Sequence, residues 1–146
     1  MHFISHRGNL NGPDLQNENN PIYVQNAVNL GFEVEIDIYF KNNLLWLGHD
    51  KPDYQITDIN WLKNKKFWCH AKNIEAFHFM LGYPEIHCFW HQNDDCTLTT
   101  LGYVWTYPGK LILDKSIMVS NKYINKSDIP VCSGICSDYI NKIKYD

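Results

Sequence analysis

His6-Arg7-Gly8, Glu18-Asn19, Gly31-Phe32-Glu33-Val34-Glu35-Ile36-Asp37 and Gly48-His49-Asp50 follow one another within residues 6–50, and their reading decides the fold. A loop rich in Gly, Pro, Asp and Asn separates the first two. One amphipathic segment joins the second to the third: Pro21 follows Asn20 as a cap, Ile22, Ala27, Val28 and Leu30 form the apolar stripe, and Gly31 ends it. The order is strand, loop, helix, strand, strand. Each strand ends on ionisable residues, and in a parallel α/β sheet ligands bind at the carboxyl ends of strands. Two histidines, an arginine and three carboxylates would then converge on one mouth.

From Phe32 to Tyr39 the chain alternates, with Val34, Ile36 and Ile38 on one face and Glu33, Glu35 and Asp37 on the other. An exposed edge strand has this pattern, and so does a barrel strand. Three carboxylates on an inner face cost free energy unless a cation or basic groups neutralise them. Outward from this stretch, Phe3–His6 reads as a short strand and Leu44–Leu47 as a buried one. Phe67–Lys72 is a strand with His70 and Lys72 on one face, and Asn73 caps a helix that Gly82 ends. Ile86–His91, Tyr103–Tyr107, Leu111–Leu113, Ile117–Val119 and Val131–Ser137 are further strand-like runs. No long helical pattern follows Gly82.

The 146 residues predict one domain with a genuine core. Lysines are scattered and net charge is -3, so no basic stripe argues for nucleic acid. No window approaches the ~18 apolar residues of a membrane span, and no basic segment followed by an apolar run opens the chain, which predicts a soluble, cytoplasmic protein. Five cysteines without a C-x-x-C pair read as small buried residues in a reducing compartment. Among the 13 Lys and Arg residues only Arg7 is an arginine, which points to a role that lysine serves poorly, such as bidentate binding of a phosphate.

With His6-Arg7-Gly8, Glu18-Asn19, Glu35-x-Asp37 and His49-Asp50 in this order, the chain resembles the glycerophosphodiester phosphodiesterase family. Gly31–Asp37 looks like that family's second strand, and Ser133–Asp138 resembles its closing strand. The resemblance implies a TIM-barrel-like (β/α) barrel, a divalent cation, and cleavage of a phosphodiester to an alcohol and glycerol phosphate. Carried over by motif, His6 and His49 are the acid/base pair, Arg7 a phosphate ligand, and Glu35 and Asp37 metal ligands. Lys72 joins Arg7 on the phosphate. Glu18 orients Arg7, while Asp50, His91 and Trp105 support the site.

Two departures shape the expectation. The family's third strand ends in Glu-x-Lys, and here the matching residues are His70-Ala71-Lys72. Either His70 ligates the metal, admitting zinc or manganese beside magnesium and calcium, or the metal site is weakened. The chain is also short for a full barrel, which takes ~200 residues or more, so the barrel should be trimmed, with several outer helices missing in the second half.

The chemistry agrees with the resemblance. A phosphodiester resists attack until its oxygens are neutralised, which a cation with Arg7 and Lys72 would do. One histidine accepts a proton from the nucleophile and the other donates one to the leaving alkoxide. If the nucleophile is a substrate hydroxyl, the product is a cyclic phosphate and the protein a lyase. The remaining alternative is a non-catalytic barrel that holds a phosphorylated ligand. His87 and His91 with Cys88 and Cys96 could suggest zinc, but His87 and Cys88 are adjacent and in a strand point to opposite faces. Val104, Ile112, Leu113, Ile117 and Val119, with no helix to cover them, predict a homodimer.

Overall fold

Strand β2 (Glu33–Lys41) is the hub of a ten-stranded mixed sheet in the computed structural model, which describes residues 1–145. Glu35 pairs with His6 of β1 (His2–His6) on one edge and Trp68 of β5 (Phe67–Ala71) on the other. Further along, the β1 edge passes to β3 (Leu44–Leu47) through the Asn42-Asn43 turn, whose positive φ angles suit asparagine. β4 (Tyr54–Ile56) extends that hairpin. Beyond β5 lies β6 (Cys88–Trp90), and beyond β1 lie β10 (Gly134–Ser137), β9 (Ser116–Ser120) and β8 (Val104–Thr106). β7 (Cys96–Leu98) runs antiparallel to β8. Seven strands are thus parallel in the order β6-β5-β2-β1-β10-β9-β8, and the sheet curls so that their carboxyl ends share one mouth.

The expected TIM-barrel-like fold is corrected here. The sheet is a curled, mixed half-barrel with antiparallel additions, and its only α-helices among the described residues are α1 (Pro21–Asn29), α2 (Ile74–Leu81) and α3 (Ile140–Tyr145). No strand pairing joins β6 to β8; instead Thr100 N donates to the Cys88 carbonyl at 2.9 Å and Cys88 N to Thr100 Oγ1 at 3.0 Å. Connection length explains the missing helices. Residues 107–115 link β8 to β9, whereas a crossover helix with its turns needs a dozen or more residues. Residues 121–133 link β9 to β10, and there Pro130 follows a single 3-10 turn at Lys126–Asp128.

The alternation of β2 sorts its side chains as its period requires. Val34, Ile36 and Ile38 are fully buried against Val24, Ala27 and Val28 of α1 and Ala76 and Met80 of α2. Each such residue contributes roughly 1.5–3 kcal/mol of burial. Inside the curl a second layer gathers Ile4, Trp68, Phe89, Trp105, Ile117 and Cys136. Ile117 is therefore an inner residue, and Val119 lines the mouth cavity, so neither belongs to the outer apolar surface expected of them. Leu111 and Leu113 are exposed, and residues 111–113 form no strand. All five cysteines are free. No helix among the described residues is long and apolar enough to cross a membrane.

Candidate functional site

Sheet register assembles the site. His6 lies opposite Glu35, and Asp37 opposite His70, so three neighbouring strands deliver these four side chains in two successive rows. They open into a cavity of about 430 Å³ that Arg7, His49, Lys72, His91 and Trp105 also line. Two backbone features aim the loops. Arg7 adopts a left-handed φ of 57°, held by its N–H on the Glu35 carbonyl at 2.9 Å and by Asn19 N on its own carbonyl at 3.0 Å. Gly48 sits at φ 152°, where a Cβ would run into the Lys51 carbonyl, so the turn that presents His49 requires glycine.

Asp37 and Glu35 are the buried centre, 0% and 1% exposed. Asp37 Oδ2 lies 2.9 Å from Arg7 Nε, accepts from Asn19 Nδ2 at 2.9 Å, and lies 3.3 Å from His49 Nδ1. Its Oδ1 is 3.2 Å from His70 Nδ1 and 3.5 Å from Lys72 Nζ. Burial pushes the Asp37 carboxyl up, but hydrogen bonds from His49 and His70 and the charge of Arg7 prevail and hold it well below the usual carboxylate range. Arg7 also donates from Nη1 to Glu18 Oε2 at 3.0 Å.

His70 carries the departure noted in the sequence. Its Nε2 donates to the His91 carbonyl at 3.1 Å; a carbonyl only accepts, so Nε2 bears a proton. Nδ1 therefore faces the carboxylates, 3.4 Å from Glu35 Oε1 as well as 3.2 Å from Asp37. Burial lowers the imidazole's pKa, and the hydrogen bonds to Asp37 and Glu35 with their charges raise it further, to about 9. Glu35, Asp37 and His70 each offer a ligand atom, all within 4.8 Å of one another. Glu35 Oε2 is buried without a hydrogen-bond partner, and Asp37 Oδ1 meets only the cationic groups of His70 and Lys72. Two buried carboxylates beside an imidazole nitrogen are a donor set that fits a divalent cation.

His6 owes its orientation to Asp138, a residue to which the sequence reading assigned no role. Nδ1 lies 2.8 Å from Asp138 Oδ1, and Nε2, turned to the cavity, is 3.9 Å from Glu35 Oε2. Burial lowers the His6 pKa, while the Asp138 hydrogen bond and the Glu35 charge raise it above its ordinary value. Asp138 moves the opposite way: burial raises it, and the hydrogen bond and charge of His6 bring it below its ordinary value. Asn9, fully buried, donates from Nδ2 to both Glu18 Oε1 and Asp138 Oδ1 at 2.8 Å, so one amide braces the partners of Arg7 and His6. The available signal was Asp138 itself, an acidic residue just after the closing strand.

His49 is more open, its side chain 39% exposed. Its Nδ1 lies 3.3 Å from both Asp37 Oδ2 and Lys72 Nζ, and its Nε2 accepts from Arg7 Nη2 at 3.4 Å. Asp50 stands on the rim, its side chain 93% exposed and 3.6 Å from His49. Trp105 forms the floor, stacked on Phe89 at 4.5 Å.

One expected placement changes. Glu33, the third carboxylate of β2, is not at the mouth. It sits at the opposite end of the curl, where His2 Nδ1 lies 2.7 Å away and Trp68 Nε1 donates at 2.6 Å. Four residues of strand separate it from Asp37 by roughly 13 Å. His87 is remote from the site: its ring meets that of Trp68 at 4.2 Å and 53°, it shares a hydrogen bond with Thr99, and burial with the nearby charge of His2 lowers its pKa to about 4.

Comparison with protein-family models, curated proteins and solved structures finds no match to this chain.

Proposed function

We propose that the chain is a metal-assisted phosphodiesterase of the glycerophosphodiester type, cleaving a small-molecule substrate to an alcohol and a glycerol phosphate. The observation that carries this reading is the convergence of the buried carboxylates Glu35 and Asp37 with Arg7, Lys72 and two carboxylate-oriented histidines on one cavity. A magnesium, calcium, manganese or zinc ion held by Glu35, Asp37 and His70 would supply Lewis-acid charge neutralisation, with His70 favouring manganese or zinc.

The chain's own residues account for the rest. Arg7 and Lys72 bind the phosphoryl oxygens. His49 takes the proton of the attacking water as the new P–O bond forms. His6, its Nδ1 engaged by Asp138, delivers the Nε2 proton to the departing alkoxide as the old P–O bond breaks. The raised pKa of His6 suits the acid that must still be protonated near neutrality.

A second reading, a phosphate-binding protein without catalysis, draws on His70, whose raised pKa lets it neutralise Glu35 and Asp37 without an ion. Phosphorus NMR of a glycerophosphodiester panel, with and without EDTA, separates the readings. Monoester formation abolished by EDTA supports the hydrolase, a cyclic phosphate makes the protein a lyase, and binding without turnover leaves the second reading. Free cysteines suit a reducing cytoplasm. A homodimer would cover exposed Leu111, Leu113 and Val131; light scattering giving a monomer at every concentration would remove that proposal.

A further inference from the structure

The mouth cavity has two unlike walls. Arg7, Glu35 and Lys72, with three of the imidazoles, come from the β1, β2, β3 and β5 side. The facing side, after β6, β8 and β9, contributes Gln92, Tyr107, Pro108, Val119 and Asn121 and no charged side chain. Neither the amide of Gln92 or Asn121 nor the hydroxyl of Tyr107 has a hydrogen-bond partner among the described residues. Tyr107 is 49% exposed, and its ring meets that of His91 at 5.4 Å and 48°, forming an aromatic corner above the Trp105 floor.

The chemistry of these groups selects an occupant. Amides and a phenol both donate and accept, so an alcohol can pair with each of them in either sense, whereas an ammonium group only donates and a carboxylate only accepts. An aromatic corner beside uncommitted polar groups buries an apolar face while fixing its orientation. A flat ring bearing hydroxyls on its edge and C–H bonds on its face meets both demands. A quaternary ammonium would also be drawn to an aromatic ring, but here it would share the cavity with Arg7 and Lys72. The nearby Asp95 is already committed to Lys110 at 2.7 Å.

We propose that the uncharged wall is a subsite for a ring polyol, a sugar or cyclitol esterified to the phosphate, with its face on Tyr107 and its hydroxyls on Gln92 and Asn121. This rests on the phosphate-binding reading of the opposite wall.

Calorimetric titration with inorganic phosphate, glucose 1-phosphate, myo-inositol 1-phosphate, phosphocholine and adenosine 5′-monophosphate tests it. A ring-polyol phosphate should bind at least about tenfold tighter than inorganic phosphate or phosphocholine. Tyr107→Ala and the Gln92→Ala/Asn121→Ala pair should remove that gain; all three residues are exposed, so folding is not at stake. Inorganic phosphate, which does not reach this wall, should bind the variants as it binds the wild type. Equal affinities across the panel, or tightest binding of phosphocholine, would overturn the subsite while leaving the phosphate reading intact. Failure of the wild type to bind any of the five would instead overturn the phosphate reading, and the subsite with it.

Discussion

His6 Nδ1 lies 2.8 Å from Asp138 Oδ1, a contact between residues 132 positions apart that fixes which ring nitrogen meets the cavity. Asp138→Asn should therefore lower the His6 pKa and move the high-pH limb of the rate profile to lower pH, since the acid would lose its proton sooner. His6→Ala should cost about 10²–10⁴ in rate. The pair's contribution to stability follows the same shifts. It is fully present below the ordinary histidine value and lost as pH rises through the raised His6 pKa; at the acid end it is lost as pH falls through the lowered Asp138 pKa. NMR titration of the His6 ring in both proteins is the check, and an unmoved pKa would remove Asp138 from the mechanism.

His70, at about 9, holds a proton on Nδ1 at neutral pH that a metal would displace. Manganese binding at pH 7.5 should release about one proton, and affinity should fall as pH is lowered. His70→Glu should abolish the release and turn the preference toward magnesium and calcium. Calorimetry in two buffers of different ionisation enthalpy counts the proton.

Arg7 engages Asp37 through Nε and Glu18 through Nη1, an arrangement a single ammonium cannot reproduce. Arg7→Lys should lower kcat/KM by about 10²–10³, as the loss of one oriented donor does elsewhere. A variant within a few-fold of wild type in steady-state kinetics would contradict the phosphate role.

His87 is kept neutral in the folded protein, with its pKa lowered to about 4. Between the ordinary histidine value and that point the unfolded chain binds a proton the folded chain does not, so stability falls with pH by up to ~1.4 kcal/mol per unit. Above the ordinary value the group has no effect. His87→Gln should remove one proton's share of the slope, read from urea midpoints at pH 4–7.

Local pattern carried much of this into the sequence. The alternation of Val34, Ile36 and Ile38 with Glu35 and Asp37 needs only the period of a strand, and Asn20, Asn73 and the Asn42-Asn43 turn act within a few residues of themselves. Arg7, alone among lysines, also stood out without a structure. Apart from Glu33, the residues named for the mouth line that cavity or adjoin it, including Glu18 on Arg7 and Asp50 on the rim. The fold class drawn from the resemblance did not survive, because motifs at strand ends describe a mouth and say nothing of what covers the strands' outer faces. That depends on amphipathic runs and connection length, and after Gly82 both were lacking. Only the tertiary structure sent Glu33 to the far end, turned Ile117 and Val119 inward, and brought Asp138 and Asn9 to His6. Those placements follow from the register and curl of parallel strands joined by long connections, which no residue encodes in its own neighbourhood.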